Sequence, residues 1–191
     1  MINRKTPGSV IRCGLAAATL AGLAACDVPA TTSDTYELAN IDPRNVIPKS
    51  TPKAFVAAFE KYCLDQGPNT AAIERALRST DYVRVPGNSA LRGWVVDDKR
   101  PAVLVAANGL SCTVAATART GQTERVREMV SSRFPDAIAV PANMKPAGME
   151  SLWLVDADKN VFILTRRRTP VGELSQFILM TVRLPPGQGL T

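Results

Sequence analysis

The sequence predicts an α+β domain, an antiparallel sheet with helices packed on one face. Three observations predict it. Apolar residues recur at helical spacing in three short segments, each with a recognisable start or stop. Short β-rich runs are joined by connections too brief for parallel crossovers. One hairpin pattern occurs twice along the 191-residue chain.

The first helix starts at Thr51, a good N-cap, with Pro52 at the first helical position, where its missing N–H costs nothing. Phe55, Val56, Phe59, Tyr62 and Cys63 then fall on one face, and Gly67-Pro68 ends the run. A second helix over Thr70–Ser79 turns Ile73, Ala76 and Leu77 inward, and a third over Gln122–Phe134 turns Val126, Met129, Val130 and Phe134 inward. Strands are predicted at Tyr82–Val85, Trp94–Val96, Ala102–Ala106, Ser111–Thr117, Leu152–Val155, Val161–Thr165 and Gln176–Arg183. Asn108-Gly109 is a strong turn dipeptide between two of them.

Laid over each other at an offset of 59, Trp94-Val95-Val96-Asp97 matches Trp153-Leu154-Val155-Asp156, and Val103-Leu104-Val105 matches Phe162-Ile163-Leu164 without a gap. Val85-Pro86 echoes Val140-Pro141 upstream. A duplicated unit of one helix and three or four strands is therefore expected, preceded by the extra helix at Thr51. The alternative is a chance match between two hairpins. Residues 26–50, with Thr31-Thr32-Ser33-Asp34-Thr35 and three prolines, read as a tether, 51–184 as the globular domain, and 185–191 as a disordered tail.

The N-terminus carries a separate message. Arg4, Lys5 and Arg12 precede the uncharged run Gly14–Leu23, which is too short to anchor across a bilayer and closes on Leu23-Ala24-Ala25-Cys26. This resembles the lipobox of a bacterial lipoprotein signal peptide. The resemblance implies cleavage after Ala25, residues 1–25 being removed, and diacylglycerol on the Cys26 sulfur, usually with a third acyl chain on its amine. Two or more chains anchor stably where one does not. It implies a periplasm-facing envelope protein, and Asp27 favours the inner over the outer membrane. An ordinary secretory signal cut at Ala25 is the competing reading.

Removing the signal takes Lys+Arg from 23 to 20 against 17 acids, so the net charge falls from +6 to +3. With few aromatics and no stacking motif, nucleic-acid binding is not expected. The chain has no histidine, which excludes Ser-His-Asp and Cys-His hydrolysis. No metal site or other cofactor is expected, because two body cysteines are too few for a thiolate zinc centre. In an oxidising compartment Cys63 and Cys112 read first as a disulfide tying helix to sheet, with two buried thiols or a redox-active pair as the alternatives.

Three constellations remain. Asp97, Asp98, Asp156 and Asp158 occupy the matching turns, where they read as a cation or acid/base site or, by default, as turn-forming residues. Ser50-Thr51-Pro52-Lys53 fits S-x-x-K, but the S-D-N and K-T-G elements of penicillin-binding proteins are missing. Arg166, Arg167 and Arg168, with Arg183, are the densest positive charge, suited to anionic headgroups or an acidic partner if not simply solvated. The mature domain resembles the small envelope lipoproteins of Gram-negative bacteria. The leading expectation is a non-enzymatic, lipid-tethered protein-interaction or accessory-subunit domain. The alternatives are an inhibitor of an envelope enzyme, as lysozyme-inhibitor lipoproteins are, or a small-ligand or enzymatic domain using the open sheet face.

Overall fold

The computed structural model describes residues 32–41, 46–86, 89–169, 174–185 and 187–188. Among them are helices α1 (Ser33–Asn40), α2 (Pro52–Phe59), α3 (Thr70–Arg78) and α4 (Gln122–Arg133). The strands are β1 (Val83–Val85), β2 (Leu91–Val95), β3 (Ala102–Ala106), β4 (Ser111–Thr117), β5 (Ile138–Ala139), β6 (Met149–Asp156), β7 (Val161–Arg168) and β8 (Gln176–Arg183). The lipobox, Cys26 and Asp27 lie outside the described residues, as does most of the 185–191 tail.

All eight strands form one sheet in the order β1-β2-β3-β4-β8-β7-β6-β5, antiparallel at each junction. This is the α+β architecture expected, built as two four-stranded meanders joined edge to edge between β4 and β8. Each meander follows a helix, α3 in the first and α4 in the second. The edges are short, three residues at β1 and two at β5, which leaves little backbone open to strand addition.

The repeat is real in three dimensions, with one correction. Trp94 pairs with Val103 in the first unit and Trp153 with Ile163 in the second. Val103 is therefore equivalent to Ile163, not to Phe162 as the ungapped match required. The cause is a register shift between Leu154 and Asp156. A bulge adds one residue to β6 and moves every later residue to the opposite face. The upstream echo holds: Val85 sits opposite Gly93, and Val140 donates its N–H to Leu152 O at 2.9 Å.

Helices α2, α3 and α4 cover one face. Phe55 and Phe59 of α2, Ile73 and Leu77 of α3, and Val126 and Val130 of α4 meet Trp94, Val103, Val114, Ile163, Phe177 and Leu179 in one core. Phe55 stacks obliquely on Phe177 with ring centroids 5.6 Å apart. Local chemistry places these helices as predicted. Thr51 Oγ1 accepts from Ala54 N at 3.2 Å, and Asn69 Oδ1 caps α3 through Ala72 N at 3.0 Å. Gly67 ends the first helix with φ +57, a conformation glycine reaches without strain.

Two features were not anticipated. The helix of α2 continues as a π-helical turn, Glu60–Leu64, closed by Asp65 N→Glu60 O at 2.9 Å. This wider turn buries Tyr62 and Cys63 together. Secondly, the segment 26–50 is not wholly a tether. Thr32 caps α1, its Oγ1 accepting from Thr35 N at 3.2 Å, and Leu38 and Ile41 pack with Val83, Val95 and Ala102 on the opposite sheet face. Ser, Thr and Asp suit linkers and helix starts alike, because their side chains bond nearby N–H groups. Residues 46–50 are docked as well: Thr117 N donates to Pro48 O at 3.2 Å and Thr117 Oγ1 to Ile47 O at 3.2 Å.

That opposite face is itself apolar. Leu104, Leu152, Phe162, Leu164, Ile178 and Met180 alternate with the helix-facing residues of their strands. On it Leu152 and Leu164 are buried, and Leu104, Phe162, Ile178 and Met180 are half-buried.

Cys63 and Cys112 form a disulfide with their Cα atoms 5.3 Å apart, joining the π turn to β4. The link spans 49 residues of chain. Replacing both cysteines by alanine should lower the unfolding free energy by about 2–4 kcal/mol. Urea unfolding of the oxidised protein and the double variant measures this, and coincident midpoints would show the link adds nothing.

Candidate functional site

The four turn aspartates do not converge. β3 and β7 run in opposite directions in the sheet, so the β2–β3 turn with Asp97 and Asp98 lies at one end. The β6–β7 turn with Asp156 and Asp158 lies at the other. No group of three potential metal-binding side chains occurs among the described residues. Each turn uses its aspartate locally. Asp98 accepts from Arg100 N and Arg100 Nε, both at 2.6 Å. Asp156 accepts from Lys159 N at 3.0 Å and Lys159 Nζ at 2.9 Å. The Lys159 ammonium and then its N–H hold the Asp156 carboxyl below its ordinary value. The turn-forming reading of these residues accounts for what they do.

Ser50 is fully buried while Lys53 is exposed, so the S-x-x-K pattern assembles no nucleophile and base. The arginine run is divided by the pleat. Arg166 pairs with Ile178 and Arg168 with Gln176 on the apolar face, whereas Arg167 pairs with Phe177 on the helical one. Arg167 lies over the Phe177 ring at 5.2 Å and donates to Glu150 Oε1 at 2.7 Å. Arg183 sits beside Val161 at the far end of the same ladder. Seven residues of strand separate it from Arg168, about 23 Å. The three neighbours and Arg183 therefore make no single patch.

What the fold does gather is two differently built ends. At one, Tyr82 donates its OH to Pro101 O at 2.8 Å and packs edge-on against Tyr62. Arg100 lies over the Tyr82 ring at 5.2 Å and donates to Thr80 O at 2.7 Å. At the other end, a cavity of about 280 Å³ opens between the helical layer and the sheet. The Cys63–Cys112 disulfide forms part of its wall. Ile73, Val105, Phe134, Val155 and Val161 supply apolar lining, and Asp156, Lys159, Arg133 and Arg183 the charges.

Close backbone approach shapes this cavity. Gly109, with φ +72, turns β3 into β4 so tightly against the α2–α3 connection that a Cβ there would stand 2.7 Å from Pro68 O. The sequence marked Asn108-Gly109 as a turn but carried no sign of this contact. Arg183 is likewise a member that sequence reasoning misplaced, since only the β7–β8 register brings it beside the Asp156–Lys159 turn.

No protein-family model matches the chain, and no curated protein or solved structure matches it either. No described helix is long and apolar enough to cross a membrane. The fold class and the two sheet ends thus stand on the geometry alone.

The Tyr82 end makes a pH prediction. Burial first, and then the neighbouring Tyr62, push the Tyr82 hydroxyl above its ordinary value of 10.0. Below that value both folded and unfolded states are neutral and the contribution of Tyr82 is complete. As pH rises past it, unfolded tyrosine ionises while buried Tyr82 does not, so stability falls by up to about 1.4 kcal/mol per pH unit. Urea midpoints taken on either side of pH 10 should drop for the native sequence and drop less for Tyr82→Phe. Equal slopes would place the alkaline loss elsewhere.

Proposed function

We propose that this protein is a lipid-anchored envelope lipoprotein whose folded domain works by protein contact, as an accessory subunit at the membrane. The anchor is Cys26, acylated after cleavage of residues 1–25, with the domain facing the periplasm and Asp27 favouring retention in the inner membrane. Support for the anchor comes from Leu23-Ala24-Ala25-Cys26 behind a basic start and an uncharged run. The cysteine pair at disulfide distance fits an oxidising compartment.

The observation that carries the contact role is the second apolar face of the sheet. Strands solvated on one side alternate apolar with polar residues, whereas β6, β7 and β8 are apolar on both sides over much of their length. Arg166 and Arg168 extend from the end of this face, where they would meet acidic groups of a partner or of lipid headgroups.

Palmitate labelling in a Gram-negative host tests the anchor: Cys26→Ala should lose the label and leave the membrane fraction. A photo-crosslinking residue at Met180 tests the contact role and should trap a defined envelope protein. Persistent labelling would remove the anchor, and a Met180 probe that yields only monomer would remove the partner.

A further inference from the structure

The cavity at the disulfide end has the composition of a ligand site rather than of a packing defect. Voids left by imperfect packing are lined by apolar atoms. This one reaches the surface beside Asp156 and Lys159, whose side chains are 33% and 66% exposed. It brings cations to an apolar interior. At about 280 Å³ it suits one small molecule and not a peptide or glycan chain.

The charges are not equivalent. Lys159 is engaged by Asp156 at 2.9 Å, and Arg133 by Asp65 at 2.6 Å. Arg183 differs: among the described residues no acid forms an ion pair with it, and its Nε is buried without a hydrogen-bond partner. A buried donor left unmade is costly, the more so on a charged group. The position of Arg183 is fixed by the fold, because its N–H donates to Leu110 O at 2.8 Å and β8 is locked against Val161. Its side chain lines the cavity, with no protein acceptor on the guanidinium among the described residues.

We propose that this cavity binds a small carboxylate with an apolar body. The carboxylate takes the planar fork of Arg183, and the body lies against Ile73, Phe134, Val155 and Val161. One guanidinium without an ion-pair partner matches one negative charge, though its field also reaches Asp156. The Asp156 carboxylate at the mouth disfavours dianions such as phosphate monoesters. The site needs neither the lipid anchor nor a protein partner, so its failure leaves the proposed function untouched, and the reverse holds.

The test uses the full-length protein with its disulfide intact, with benzoate and hexanoate as probes and benzamide and hexanol as their neutral counterparts. Calorimetry and saturation-transfer NMR should find both acids bound, and the neutral pair weaker by about tenfold or more. Arg183→Gln should weaken the acids by a similar factor, while Arg125→Gln on the outer side of α4 leaves them unchanged. Should Arg183→Gln fail to fold, Val161→Phe provides the second reading, since its ring fills the cavity and should abolish binding with the cations in place. Acids and neutral analogues bound alike, acids bound by neither measure, or affinity retained in Arg183→Gln or Val161→Phe would each overturn the proposal.

Discussion

The pairing of β4 with β8 is the constraint on which the rest of this structure depends. Seven register pairs, from Ser111↔Val182 to Thr117↔Gln176, join two four-stranded units that share no other strand pairing among the described residues. On the helical side of this seam lie Val114, Ala116, Phe177 and Leu179, all fully buried. The layer of α2, α3 and α4 exists because the seam gives both units a common face. Without it, α2 would have no Phe177 to pack on, and the second unit would present an unpaired strand.

Such a seam joins residues far apart in sequence, so its formation must overcome the closure of a long loop before contacts reward it. Two devices reduce the burden. The disulfide fixes α2 to β4, on the first side of the seam. Gln122, fully buried, fixes α4 to the other end of that strand, donating from Nε2 to Thr117 O at 3.2 Å and accepting from Arg119 N at 2.7 Å. The helix that opens the second unit is thereby held at the strand that ends the first. The π turn belongs to this scheme, since it lets α2 bury Phe59 and still deliver Cys63 to Cys112.

Much of this was legible in the sequence, where the signal was local. Thr51-Pro52, the apolar stripes of α2 to α4, Gly67, and the turns at Asp97 and Asn108-Gly109 each carry their reason within a few residues. The disulfide followed from the even pair of body cysteines and the compartment expected for them. What escaped depends on register or on distant neighbours. The β6 bulge shifts the second hairpin by one residue, so a match by identity slid Phe162 onto Val103. The aspartates looked alike in sequence, yet the antiparallel relation of β3 to β7 sends them to opposite ends of the sheet. Arg166, Arg167 and Arg168 are adjacent in the chain and divided by the pleat. The cavity is assembled from the π turn, α3 and the connection before it, the β3–β4 and β6–β7 turns, the end of α4 and the last strand, and no window of sequence contains it.

The β4–β8 seam makes the two units one cooperative body. Native-state hydrogen exchange tests this most directly, because each amide reports the free energy of the opening that exposes it. The amides of β4, β7 and β8 should exchange at one common rate, set by global unfolding and shifting together with added denaturant. Exchange of β5 to β8 through a separate, lower-energy opening while β2 to β4 stay protected would contradict it.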